Sequence, residues 1–100
     1  MLPRNRRPTP PGEILRHEFL EPLGLSQKEL ASALGITRVR LSEILRGKRA
    51  ITPDTAFRLA RFFDTTPEFW LGLQTDLSLW DTLQIHVKEY EKIKPLTTAG

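Results

Sequence analysis

The chain is 100 residues long, with 15 Lys and Arg against 12 Asp and Glu, a formal net charge of +3 and no cysteine. That length holds one small domain with a modest core and excludes a two-lobed enzyme with a buried active site. The lack of cysteine excludes disulfides and thiolate metal centres and fits a reducing cytosol.

Charge is unevenly placed. Residues 1–49 carry ten basic and five acidic side chains, net +5, and residues 50–100 carry five and seven, net −2. The first half therefore suits an anionic partner such as nucleic acid. No apolar run approaches the roughly 18–20 residues of a membrane span, and the N-terminus lacks the apolar segment of a secretory signal. A cytoplasmic protein without a membrane partner is expected.

In chain order, residues 1–10 hold Arg4, Arg6 and Arg7 among prolines with almost nothing to bury. They read as a flexible basic arm, either lying along DNA or acting as a solubilising tail. Helix one is expected from Pro11, with Leu15 and Phe19 one turn apart, and closes at Pro22 and Gly24. Helix two opens at Ser26, which forms a capping box with Glu29; it buries Leu30, Ala31 and Leu34 and ends at Gly35. Thr37 caps helix three, which runs to about Arg46.

At about 100° per residue, Leu41, Ile44 and Leu45 share the inner side of helix three. Val39, Ser42, Glu43 and Arg46 point the opposite way, with Arg38 and Arg40 on the flanks. Packing does not explain such an outer face, whereas groove readout does. Arginine pairs with guanine, glutamate accepts from the cytosine amino group, and an apolar side chain meets the thymine methyl. The expected base contacts are Arg38, Val39, Ser42 and Glu43. The expected phosphate contacts are Gln27 and Thr37 at helix starts, together with Arg40, Arg46, Lys48 and Arg49.

Helix four starts at Thr52, Pro53 and Asp54, buries Ala56, Leu59, Ala60 and Phe63, and keeps Arg58 and Arg61 on its wet side. Thr66, Pro67 and Glu68 start helix five. Apolar residues then recur through Trp70, Leu73, Leu77, Trp80, Leu83, Val87 and Tyr90. This segment is either one long helix or two broken near Gly72 or Thr75–Asp76. Its later stripe, Leu77, Trp80, Leu83, Val87 and Tyr90, has nothing of its own to cover and implies a second copy of the chain. The expected fold class is all-α. A five-helix repressor-like domain with a helix-turn-helix occupies 11–80, and a C-terminal helical extension and tail occupy 81–100.

His17 and His86 fall on different helices with no carboxylate or serine constellation around either. Catalysis, a metal and a cofactor are therefore not expected.

Helices two and three resemble the helix-turn-helix of phage repressors and Cro. A wider set resembles the HigA (VapI) antitoxins: Pro11 to Leu15, Glu18 to Leu20, Gly24 to Gln27, Ala31, Leu34 to Ile36, Ile44, Gly47, Ile51 to Pro53, Ala56, Leu59 and Ala60, and Pro67 to Leu71 with Leu73 and Gln74. The Pro67 to Leu71 segment lies outside the helix-turn-helix, which makes the resemblance specific. It implies a homodimer that binds a palindromic double-stranded operator, represses its own operon and silences a HigB-like toxin that cleaves mRNA. The alternative is a stand-alone repressor of the same XRE type. Arg38, Val39 and Arg40 are more basic and more apolar than the small polar residues common there in that family.

Overall fold

The structure is a computed structural model, and it describes residues 6–97. Among these residues it is all-helical. Helix α1 covers residues 11–23, α2 Gln27–Leu34, α3 Arg38–Leu45, α4 Pro53–Phe63 and α5 Pro67–Glu91.

Helix α1 is not uniform. An α turn at Pro11–Ile14 widens to a π-helical stretch at Leu15–Leu20 and tightens again at Glu21–Leu23. Pro22 supplies the physical reason. Its ring has no N–H to donate and would collide with the carbonyl one turn back. The wider turn passes the hydrogen bonding to the Glu21 N–H, which donates to Arg16 O five residues earlier.

Leu15, Leu30, Leu41, Ile44, Ala56, Leu59 and Trp70 form the centre of the core, all 2% exposed or less. The Trp70 indole N–H donates to Thr65 Oγ1 at 2.8 Å, and Phe19 packs tilted on both Phe63 and Trp70. A ring this size can be fully buried because its single polar atom is satisfied.

Close approach decides one glycine. A Cβ at Gly12 would lie 2.3 Å from Ile44 O and 2.9 Å from Leu45 Cα. The start of α1 thus presses directly on the last turn of α3 and sets its tilt.

Helix α5 is a single unbroken helix of 25 residues, with no interruption at Gly72 or Thr75–Asp76. At about 1.5 Å per residue it is roughly 37 Å long, and it gives the molecule extents of 60 × 22 × 22 Å. Its first half packs on α4 and α1, and its second half projects beyond the body. Residues 7–10, expected in a flexible arm, instead lie against the body. Pro8 is buried, and the Arg7 Nε and Nη2 donate to Asp81 Oδ1 and Oδ2 at 2.8 and 2.9 Å. Residues 1–5 of that arm, Arg4 included, and the end of the tail at 98–100 lie outside the described residues.

Candidate nucleic-acid interface

The two helices of the turn are fixed at every end. Ser26 Oγ accepts from the Glu29 N–H at 3.0 Å, and the Ser26 N–H donates to Glu29 Oε1 at 2.9 Å. Those bonds hold the Glu29 carboxyl below its ordinary pKa, chiefly through the Ser26 backbone. At the other end of α2, Gly35 takes φ 71°, and Ile36 N–H reaches back to Ala31 O at 3.1 Å. A left-handed residue here favours glycine. Thr37 Oγ1 accepts from Arg40 N–H at 3.0 Å and starts α3.

Gln27, Arg38, Val39, Ser42 and Arg46 line one shallow, open depression on the outer side of this unit. Val39 is 68% exposed in it. Among the described residues, the Arg38, Arg46 and Lys48 side chains hold no hydrogen bond or ion pair. Their charges are uncommitted. Gly47, at φ 74°, turns the chain out of α3 so that Lys48 N–H bonds Glu43 O at 2.8 Å.

Three expected contacts sit differently. The Glu43 carboxylate is half-buried and accepts from Arg49 Nε and Nη2 at 2.9 and 2.8 Å. This acid and this cation are thus paired with each other across the exit turn of α3. Arg40 departs further from its expected place on phosphate. Its Nη2 donates to Asp54 Oδ2 at 3.0 Å and to the buried Thr55 Oγ1 at 2.7 Å, tying α3 to the start of α4. The Arg40 and Arg58 guanidiniums together hold the Asp54 carboxyl below its ordinary pKa.

Sequence reasoning missed Arg58, which it left in solvent. The Arg58 Nη1 donates to Leu34 O at 2.8 Å and its Nε to Asp54 at 2.9 Å, so it caps the C-terminus of α2 from α4. The i,i+4 spacing of Asp54 and Arg58 was a visible signal for the pair; the cap on Leu34 had none. Gln74 was also missed: its Oε1 accepts the Ile51 N–H at 2.9 Å, anchoring the loop after the basic turn to α5.

The expected dimerisation residues divide in two. Leu77 is 8% exposed, covered by its own chain, because it stands near Trp70 on the core-facing line of α5. Trp80, Leu83, Val87 and Tyr90, joined by Leu79, which was not among those expected, fall within an arc of about 100° on another side of the helix. All of them are partly or well exposed. His17 and His86 pair with the neighbouring Glu21 and Glu89 on their own helices, and the His86 ring also lies 6.0 Å from that of Tyr90. Among the described residues no group of His, Asp or Glu is arranged to hold a metal, and no helix is long and apolar enough to cross a membrane.

Residues 17–70 match the family described as helix-turn-helix. The chain is 47% identical over 100 residues to the HTH-type transcriptional regulator YbaQ of Escherichia coli K12, covering all of this chain and 88% of that one. It is 42% identical over 96 residues to antitoxin HigA-1 of Vibrio cholerae, covering 96% and 90%. The Pseudomonas aeruginosa antitoxin HigA, solved with the higBA promoter, superposes with a TM-score of 0.87 at 41% identity, covering 91% of this chain and all of that one. The chain belongs to the XRE-type helix-turn-helix family of DNA-binding regulators, which are not enzymes, and within it to the HigA antitoxins.

Proposed function

We propose that this protein is a cytoplasmic, sequence-specific DNA-binding antitoxin that represses its own operon as a dimer and neutralises a HigB-like mRNA-cleaving toxin. The observation that carries the DNA part is the convergence of Gln27, Arg38, Val39, Ser42 and Arg46 on one open face beside uncommitted cations. Arg38, Val39, Ser42 and Glu43 read bases from the major groove. Gln27, Thr37, Arg46, Lys48 and Arg49 grip phosphates, which supplies affinity without sequence information. Glu43 and Arg49 form a partly exposed surface pair, of the kind worth about 0–1 kcal/mol, so a groove can separate them at little cost.

The dimer forms along Leu79, Trp80, Leu83, Val87 and Tyr90. It sets two copies of α3 about 34 Å apart, one helical turn of DNA, on a pseudo-palindromic site. The antitoxin name carried by the V. cholerae relative supports the toxin partner.

A titration of the protein against its own upstream DNA over a range of salt tests the reading. Affinity falls steeply with salt if phosphates are gripped; a flat response sinks it. Arg46→Ala is expected to weaken all sequences alike and lower the salt slope by about one. Arg38→Ala costs about 1–3 kcal/mol at particular base pairs only. A stand-alone repressor remains the second reading, because the relative matched over the whole chain is named a transcriptional regulator. Purification together with the product of the adjacent gene separates the two: a stable complex with a small basic partner supports the antitoxin.

A further inference from the structure

We infer that Asp54 is a positioning residue for DNA binding: it holds Arg40 against α4, so that the recognition helix offers DNA phosphates one cation fewer than its sequence contains. The inference rests on the DNA-binding reading above.

The cations around α3 are not equivalent. Among the described residues Arg38 and Arg46 are uncommitted, and the half-exposed Arg49 donates twice to one oxygen of the half-buried Glu43 carboxylate. The Arg40 side chain is only 28% exposed, and its Nη2 reaches two acceptors at 3.0 and 2.7 Å. One of them, Thr55 Oγ1, belongs to a residue 1% exposed. To meet a phosphate, Arg40 would have to leave that buried hydroxyl without its shortest bond. It would also leave Asp54 to Arg58 alone and the buried hydroxyl to its longer bond with Thr52 at 3.3 Å, and weakening the bonding of a buried polar group costs stability.

Asp54 Oδ2 accepts from Arg40 and Arg58 together, and Arg58 in turn caps Leu34 O. One carboxylate therefore joins α2, α3 and α4 while neutralising a charge that would grip any sequence equally. Each phosphate-bound cation strengthens non-specific as much as specific binding. Withholding Arg40 thus lowers affinity for every sequence by a similar factor and limits the salt dependence of binding.

The test is an anisotropy titration of the full chain on a mixed-sequence duplex of about two turns, and on its own upstream DNA, between about 50 and 200 mM salt. Asp54→Asn is expected to steepen the salt slope by about one on both duplexes. It is also expected to bind both duplexes about threefold more tightly at the low-salt end, with the ratio between them unchanged. Arg40→Gln keeps the wild-type slope, and the double variant returns to it. A merely structural role for Asp54 would not produce that reversal.

A slope lowered by about one in Arg40→Gln overturns the inference, since Arg40 would then be a phosphate contact. So does an unchanged slope in a folded Asp54→Asn. Should Asp54→Asn fail to fold, the Arg40→Gln slope decides alone. A wild type without salt-dependent binding overturns the DNA reading, and the inference with it.

Discussion

The contact between Gly12 and the carbonyl of Ile44 is where a single atom matters most. At 2.3 Å a methyl carbon has no room, and the obstructing atoms are backbone rather than a movable side chain. Gly12→Ala is therefore expected to destabilise the protein by about 1–3 kcal/mol or more, the range for forced overpacking, as read by urea or thermal unfolding. Because α3 must yield to make room, operator affinity is expected to fall in the same variant even where it remains folded. An unchanged melting midpoint would mean that α1 and α3 approach less closely than the structure has them. Residues of this kind were only half legible in the sequence. Val39, Ser42 and Arg46 could be placed on the outer face by helical spacing alone. The roles of Arg40 and of Arg58 as a cap could not, since Asp54 lies 14 residues from Arg40 and Leu34 lies 24 from Arg58, and periodicity says nothing about where a long flexible side chain ends.

Helix ends carry the legible part of the next scale. The caps at Ser26, Thr37, Thr52 and Thr66 each accept the expected backbone N–H. Ser26→Ala is expected to cost about 1 kcal/mol. Helix α4 closes differently, on Asp64 at φ 56° in the left-handed region, with Thr65 N–H bonded to Ala60 O. Glycine there removes the strain of a Cβ and costs some unfolded-state entropy. Asp64→Gly is expected to stabilise by up to about 1 kcal/mol in thermal unfolding; a lower midpoint would show the Asp side chain to be worth more than its strain. Acid sensitivity belongs to this scale too, because Glu29, Asp54 and Asp81 join or start elements and all sit below their ordinary pKa. Carboxyls depressed on folding contribute stability that is complete above the unfolded value of about 4 and is lost as pH falls through the folded values. The melting midpoint is thus expected to hold from pH 7 to about 5 and drop below about 4, less so in Asp54→Asn. The π-helical stretch of α1 was not legible. A proline two residues before a glycine reads as a stop, and only the tertiary fold decides that the helix widens instead.

At the scale of the molecule, α5 poses the remaining physical problem. Its second half leaves the body with apolar side chains on it, Val87 and Tyr90 among them, and a helix of that length is marginal in water without packing. Sequence periodicity found the stripe but merged it with the core line, because Leu77 continues the three- and four-residue steps in both. The structure separates them by the direction of the side chains, and the separation makes opposite predictions for two leucines. Leu83→Asp puts a charge in the middle of the outer stripe, so it is expected to yield monomers by sedimentation at micromolar concentration. Its operator affinity should fall far more than for loss of one phosphate contact, since a monomer holds one half-site only. Leu77→Ala removes a buried side chain from the protomer. It is expected to cost about 2–5 kcal/mol of folding stability while the folded fraction still sediments as the dimer. If Leu83→Asp remained dimeric and Leu77→Ala dissociated, the interface would have to run along the core line, and the projecting stripe would need another partner.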